Sequence, residues 1–180
     1  MKKILTVLFL VSFFILNAQN ESVKMGPIIE SFGKVYQLEN PDLMLNGTTK
    51  YKVIFDVYTD NSKKRNLNPL LVKVARFLNM HAQKGVKAEN MKIALVLHGA
   101  ATKSALNSKA YQKKYKTKNQ NFELLKALTN ANVEVFVCGQ SYLANGFQLE
   151  EKSENVKMAL SALTALVEYQ NNGYQIINFN

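Results

Sequence analysis

Lys92 to His98 (KIALVLH) is a nearly continuous apolar run of strand length, and Val133 to Val137 (VEVFV) is another. Strands of this kind are buried on both faces, which is the signature of a parallel sheet covered by helices on each side. Tyr51 to Thr59 (YKVIFDVYT) is rich in β-branched and aromatic residues and reads as a further strand. A punctuated helix separates the first two strands in chain order. Asn68 serves as N-cap, Pro69 takes the first helical position, and Gly85 ends the helix. Leu71, Val74, Leu78 and Ala82 form its inward stripe.

Asn119 to Asn130 reads as a second helix, capped by Asn119 or Asn121, with Phe122, Leu125 and Leu128 inward. Residues 100–118 read as a loop and a short helix, and Ser141 to Gly146 as a turn or short helix. Lys157 to Ala159 is a short strand, and Tyr174 to Phe179 is the last strand. Between them Ser161 to Asn171 forms a helix, using Leu163, Leu166, Val167 and Gln170 along one side and stopping at Gly173. Alternation of this kind predicts an α/β fold: a single-domain three-layer sandwich, its mostly parallel sheet of about five strands covered by helices on both faces.

The chain opens with Lys2 and Lys3, an apolar run from Ile4 to Leu16, and a small residue at Ala18. This is the pattern of a signal peptide over residues 1–18, cleaved after Ala18, and the run is too short for a comfortable membrane span. The expected product is periplasmic or secreted, with no stable membrane insertion after cleavage. What remains is about 160 residues, enough for one domain without covalent staples. Residues 19–50 read as an extended arm punctuated by Gly26-Pro27, Gly33, Asn40-Pro41 and Asn46-Gly47, with a short strand at Lys34 to Leu38. Its Ile28, Ile29, Phe32, Val35 and Tyr36 are expected to dock on the domain (residues 51–180) or on a neighbouring subunit.

The net charge is +10, much of it concentrated in Lys109 to Lys118 (KAYQKKYKTK). Such a run reads first as a solvated helix face, with an anionic partner or membrane surface as the alternative. Export argues against nucleic acid.

In open α/β sheets, ligands bind beyond the carboxyl ends of the strands. Asp56, His98 and Cys138 all fall there. Cys138 is the sharpest candidate, because a thiolate is a nucleophile and positive potential favours it. The amides of Gly139, Gln140 and Ser141 are placed to supply that potential, and Gly139 permits close approach. His98 can act as base or as an imidazolium beside the thiolate. Asp56 either orients His98 or, as local bonding of aspartate favours, ties down a loop. His81, near a helix end, is expected to have a dipole or surface role. A pocket lined by His98, Gly99 and Gln140 could hold a small anion. The chain has no G-x-G-x-x-G, P-loop, C-x-x-C or G-x-S-x-G motif, and its two histidines and one cysteine are scattered. No cofactor and no metal is therefore expected.

YKVIFDV, NPLLVKVARFLN, KIALVLHGAATK, NFELLKALTNANVEVFVCGQS and VKMALSALTALVEYQNNGY, in that order, resemble the DsrE/DsrF-like family, and in particular its exported bacterial members. CGQS at 138–141 and LHGAATK at 97–103 are the most specific pieces. The resemblance implies a homo-oligomer, trimer or hexamer, with sites near subunit interfaces. It also implies a sulfur-relay role in which Cys138 carries sulfane sulfur as a persulfide between thiol-bearing donor and acceptor proteins, acting as a sulfurtransferase or sulfur carrier. His98 is carried over more weakly. Some relatives lack the cysteine, so a binding module for a small molecule or anion, or an assembly subunit of the periplasm, is the alternative.

Overall fold

The computed structural model describes residues 23–60, 62 and 66–179. The expected signal peptide lies outside the described residues. Five strands form one sheet: β3 (Tyr51–Val57), β4 (Met91–Leu97), β5 (Glu134–Cys138), β6 (Lys157–Ala159) and β7 (Gln175–Asn178). Their order is β6-β5-β4-β3-β7, and every neighbouring pair is parallel. A small antiparallel pair, β1 (Val23–Lys24) with β2 (Val35–Tyr36), lies in the N-terminal arm.

The helices are α1 (Pro69–Gln83), α2 (Ser108–Tyr115), α3 (Asn121–Asn130), α4 (Gly139–Ala144) and α5 (Ala162–Asn171). Alternation along each strand splits the sheet into two surfaces. Val53, Phe55 and Val57 of β3 share a core with Leu95 and Leu97 of β4, Val135 and Val137 of β5, and the buried sides of α1 and α3. Ile54, Ala94, Val96 and Cys138 turn the other way, toward Ala162 and Ala165 of α5.

Local chemistry explains the boundaries. Asn68 caps α1 through its side chain, which accepts from the Leu70 amide at 2.9 Å, and Pro69 follows at the first position. The Asn68 amide donates in turn to the Asn121 side chain at 2.7 Å. Asn121 Nδ2 donates to Ser104 Oγ at 3.2 Å, and Asn119 Nδ2 donates to the Ser104 and Leu106 carbonyls at 3.0 and 2.8 Å. This buried polar knot fixes the 3-10 turn Gly99–Ala105, which leaves the end of β4. Lys103 of that turn is ion-paired to the buried Asp60 at 3.2 Å.

Two expectations are corrected. In α5 the inward residues are Ala162, Ala165, Leu166 and Tyr169, while Leu163 and Val167 are 78% and 55% exposed. The alanines let the helix lie close over Ala94, with Leu166 and Tyr169 packed on the same side, while Leu163 and Val167 face out. His81 is not at the surface but 5% exposed. Its Nδ1 hydrogen-bonds the Phe77 carbonyl at 2.8 Å, and its ring sits 3.9 Å from Phe77 and 4.6 Å from Tyr51, centroid to centroid. Burial outweighs that hydrogen bond and holds its pKa below the usual histidine value.

Candidate functional site

β5 ends on Cys138, and α4 begins at the next residue, so the cysteine is itself the N-cap. Its Sγ accepts from the Ser141 amide at 3.4 Å. The side chain is nearly covered, with the residue 4% exposed. Burial alone would raise the thiol pKa. The Ser141 hydroxyl, the Ser141 amide, and the amides of Ala162 and Gln140 outweigh it and hold the thiol below its ordinary range. The sulfur therefore lies where two helices start, α4 directly and α5 through Ala162.

Gly139 makes this convergence sterically feasible. A Cβ there would come within 3.0 Å of the Ala159 carbonyl oxygen and 3.3 Å of that of Leu160. The close approach that the glycine permits is thus between backbones, at the end of β6. Gln140 is exposed, and its side chain reaches the Leu160 carbonyl at 3.5 Å.

Asp56, His98 and Cys138 lie on the α5 surface of three neighbouring strands. Asp56 follows the alternation of Ile54, and His98 that of Ala94 and Val96. The Leu97–Val137 register carries His98 to a position opposite Cys138. His98 Nε2 lies 2.6 Å from Asp56 Oδ1. A carboxylate accepts from the ring N–H in this arrangement, which leaves Nδ1 as the nitrogen able to exchange a proton. The loop role favoured for Asp56 is therefore corrected: it holds a histidine on the next strand. The His98 and Asp56 side chains are 25% and 13% exposed, so the pair is neither fully solvated nor sealed. The Tyr58 ring stands 5.8 Å from that of His98, centroid to centroid.

Gly99 takes a left-handed φ of +52°, and a Cβ on it would meet the Tyr58 carbonyl oxygen at 2.7 Å. Its own carbonyl accepts from Thr102 Oγ1 at 2.8 Å and Asn145 Nδ2 at 3.1 Å. Gly99 thus braces the turn against α4. The sequence reading missed Ala162 and Asn145. Asn145 caps the far end of α4 and carried no motif. Ala162 contributes only a backbone amide, for which the Ser161 cap is the one sequence signal. Among the described residues no cluster of three or more histidine, cysteine or acidic side chains could hold a metal ion.

A family model described as the DsrE/DsrF-like family matches residues 52–179. Two solved structures are similar: a protein of unknown function, MTH1491, from Methanobacterium thermoautotrophicum, and the YchN protein from E. coli. Each is 19% identical with a TM-score of 0.53, and each match covers 72% of this chain and 99% of the other. At that identity the likeness establishes the fold. No curated protein matches the chain.

Proposed function

The chain belongs to the DsrE/DsrF-like family, and from that premise we propose that it is an exported sulfur carrier holding sulfane sulfur on Cys138 as a persulfide. The observation that carries this reading is the seat of the sulfur as N-cap of α4, where Sγ accepts from the Ser141 amide at 3.4 Å and the surrounding donors hold the thiol below its ordinary range. Hydrogen bonds to an anionic acceptor are roughly twice as strong as neutral ones, so the thiolate gains most from them.

Loading is a displacement. The Cys138 thiolate attacks the outer sulfur of a donor such as thiosulfate, an S–S bond forms to Cys138, and sulfite leaves with the electron pair of the broken bond. In delivery Cys138 changes from nucleophile to leaving group. An acceptor thiol gives its proton to His98 Nδ1, attacks the outer sulfur of the persulfide, and Cys138 departs as thiolate. Asp56 orients His98 and stabilises the imidazolium that forms. As the chain's single cysteine, Cys138 has no neighbour in the same chain to resolve the persulfide as a disulfide.

Intact mass spectrometry after exposure to thiosulfate or polysulfide tests the reading. The expected result is a gain of one sulfur atom by the wild type and none by Cys138→Ser. No gain on a thiol shown to be free beforehand would overturn it and leave anion binding or assembly as the function. The proposal includes a homo-oligomer, supported by the exposure of Leu160 and Leu163, 72% and 78%. Leu163→Asp should lower the mass seen by sedimentation. Export is supported by Lys2, Lys3, the run Ile4 to Leu16 and Ala18. A mature chain beginning at Gln19 would be its signature.

A further inference from the structure

Helix α2 is a short helix with the charge of a binding surface. Its sequence is SKAYQKKY, with no acidic residue in its first turn. Ala110 and Tyr111 are buried, whereas Lys109, Lys113 and Lys114 are exposed, as is Lys116 at the C-cap. Lys109 and Lys113 are four residues apart and share one side of the helix, and Lys116 follows at the C-cap with a left-handed φ of +58°. Like charges at that spacing repel, and Lys109 also stands in the first turn, where the helix dipole disfavours a cation. Lys113 and Lys114, in the last turn, are favoured by the helix dipole, but among the described residues Lys109, Lys113 and Lys116 enter no ion pair. Even Glu150 and Glu151, whose backbone carbonyls bind Asn107 at the start of α2, form none with them.

The position of α2 relates this charge to the thiol. Lys114 Nζ donates to the Asn145 carbonyl at 3.1 Å and lies 4.2 Å from the Phe147 ring centroid. Asn145 is the C-cap of α4, and Cys138 is the N-cap of the same helix. At 1.5 Å per residue, α4 spans about 10 Å between Cys138 and the residue that Lys114 holds, so α2 lies beyond the far end of the helix that the cysteine caps.

We propose that the Lys109–Lys113–Lys116 face is the docking surface for an acidic polypeptide whose own thiol exchanges sulfur with Cys138. The inference rests on the sulfur-carrier reading for the identity of the exchange, and on the charge of α2 for the partner. A polypeptide is favoured over an anionic membrane because the exposed α2 residues Ser108, Lys109, Gln112, Lys113 and Lys114 include no apolar side chain to enter a lipid surface.

The test uses two labelled peptides with one cysteine each, one rich in glutamate and the other with glutamine in its place. Binding is followed by fluorescence anisotropy on the wild type, on Cys138→Ser and on the triple variant Lys109→Glu, Lys113→Glu, Lys116→Glu. The acidic peptide should bind the wild type and Cys138→Ser alike, at least about tenfold tighter than its glutamine analogue at low salt. High salt should close the gap, and the triple variant should abolish it. Equal binding of the two peptides, or a preference that survives in the triple variant, overturns the proposal. So does binding to phosphatidylserine vesicles in the absence of any peptide preference, which would assign the face to a membrane. Sulfur loading of the wild type, read by mass beside its peptide preference, separates the two readings. Loading without peptide preference sinks the docking face alone, and preference without loading sinks the sulfur chemistry alone.

Discussion

One surface of the sheet is covered by α1 and α3 and contributes most of the buried hydrophobic side chains; the other is covered by α5, with Leu163 and Val167 facing away from the protein. The two surfaces are made by the same strands, residue by alternate residue. All three side chains of the candidate site, Asp56, His98 and Cys138, fall on the α5 surface, and none on the thicker one. A polar or ionisable side chain is costly beneath two helices and tolerable at the margin of one, where amides and partial solvation compensate it. The thin cover is therefore where chemistry can be placed without unsettling the core.

This comparison can be broken by substitutions that should affect stability on one surface and reactivity on the other. The largest effect is expected for Leu95→Ala on the thick side, where the residue is 0% exposed. It should cost about 2–5 kcal/mol in denaturant unfolding, with the alkylation rate of Cys138 in the folded protein unchanged. Next comes Asp56→Asn, which should slow persulfide delivery about a hundredfold while shifting the unfolding midpoint far less than Leu95→Ala. A large loss of stability with intact delivery would show that the pair is structural. Ser141→Ala should act more mildly. It removes one hydrogen bond to the sulfur, so the midpoint of the pH–rate curve for thiol alkylation should move upward, with roughly a fivefold lower rate at neutral pH. An unmoved midpoint would remove the hydroxyl from the account.

The smallest effect concerns His81, a buried histidine under the thick side. Its folded-state pKa is held below the unfolded value, so the unfolded chain takes up the proton first. Stability should therefore fall as pH drops below about 6.5. A His81→Leu variant should show a shallower decline over that range. Equal slopes for the two proteins would place the acid sensitivity elsewhere.

The central strands and their parallel pairing were legible in the sequence because burial on both faces leaves little room for polar residues, as KIALVLH illustrates. The start of α1 was legible because Asn68 and Pro69 signal locally. Asp56 was misjudged for the opposite reason: its partner lies 42 residues away and reaches it only through strand pairing. His81 was misplaced because a helix end is normally wet, and nothing local indicates that Phe77 and Tyr51 enclose it. In α5 Leu163 and Val167 suggested the wrong side, though Leu166 does face inward, since the close approach to Ala94 selects alanines. Cys138 was found by its position at a strand end, but the Ala162 amide that reaches it has no side-chain signature at all.

The arm is fastened to α1 by one buried side chain. Asn79 Oδ1 accepts from the Ile28 and Ile29 amides at 3.2 and 2.8 Å, and its Nδ2 donates to the Ile29, Phe32 and Gly33 carbonyls at 2.9, 2.9 and 3.2 Å. Gly33 runs so close to the helix that a Cβ would collide with the backbone of Ala75 and Arg76. Each of these contacts joins residues more than 40 positions apart. During synthesis the arm emerges well before the helix that secures it, and contacts so distant in sequence form only after a costly loop closure. Early in the sequence is thus late in the assembly: the segment around Ile29 waits, with its apolar side chains uncovered, until Asn79 has arrived.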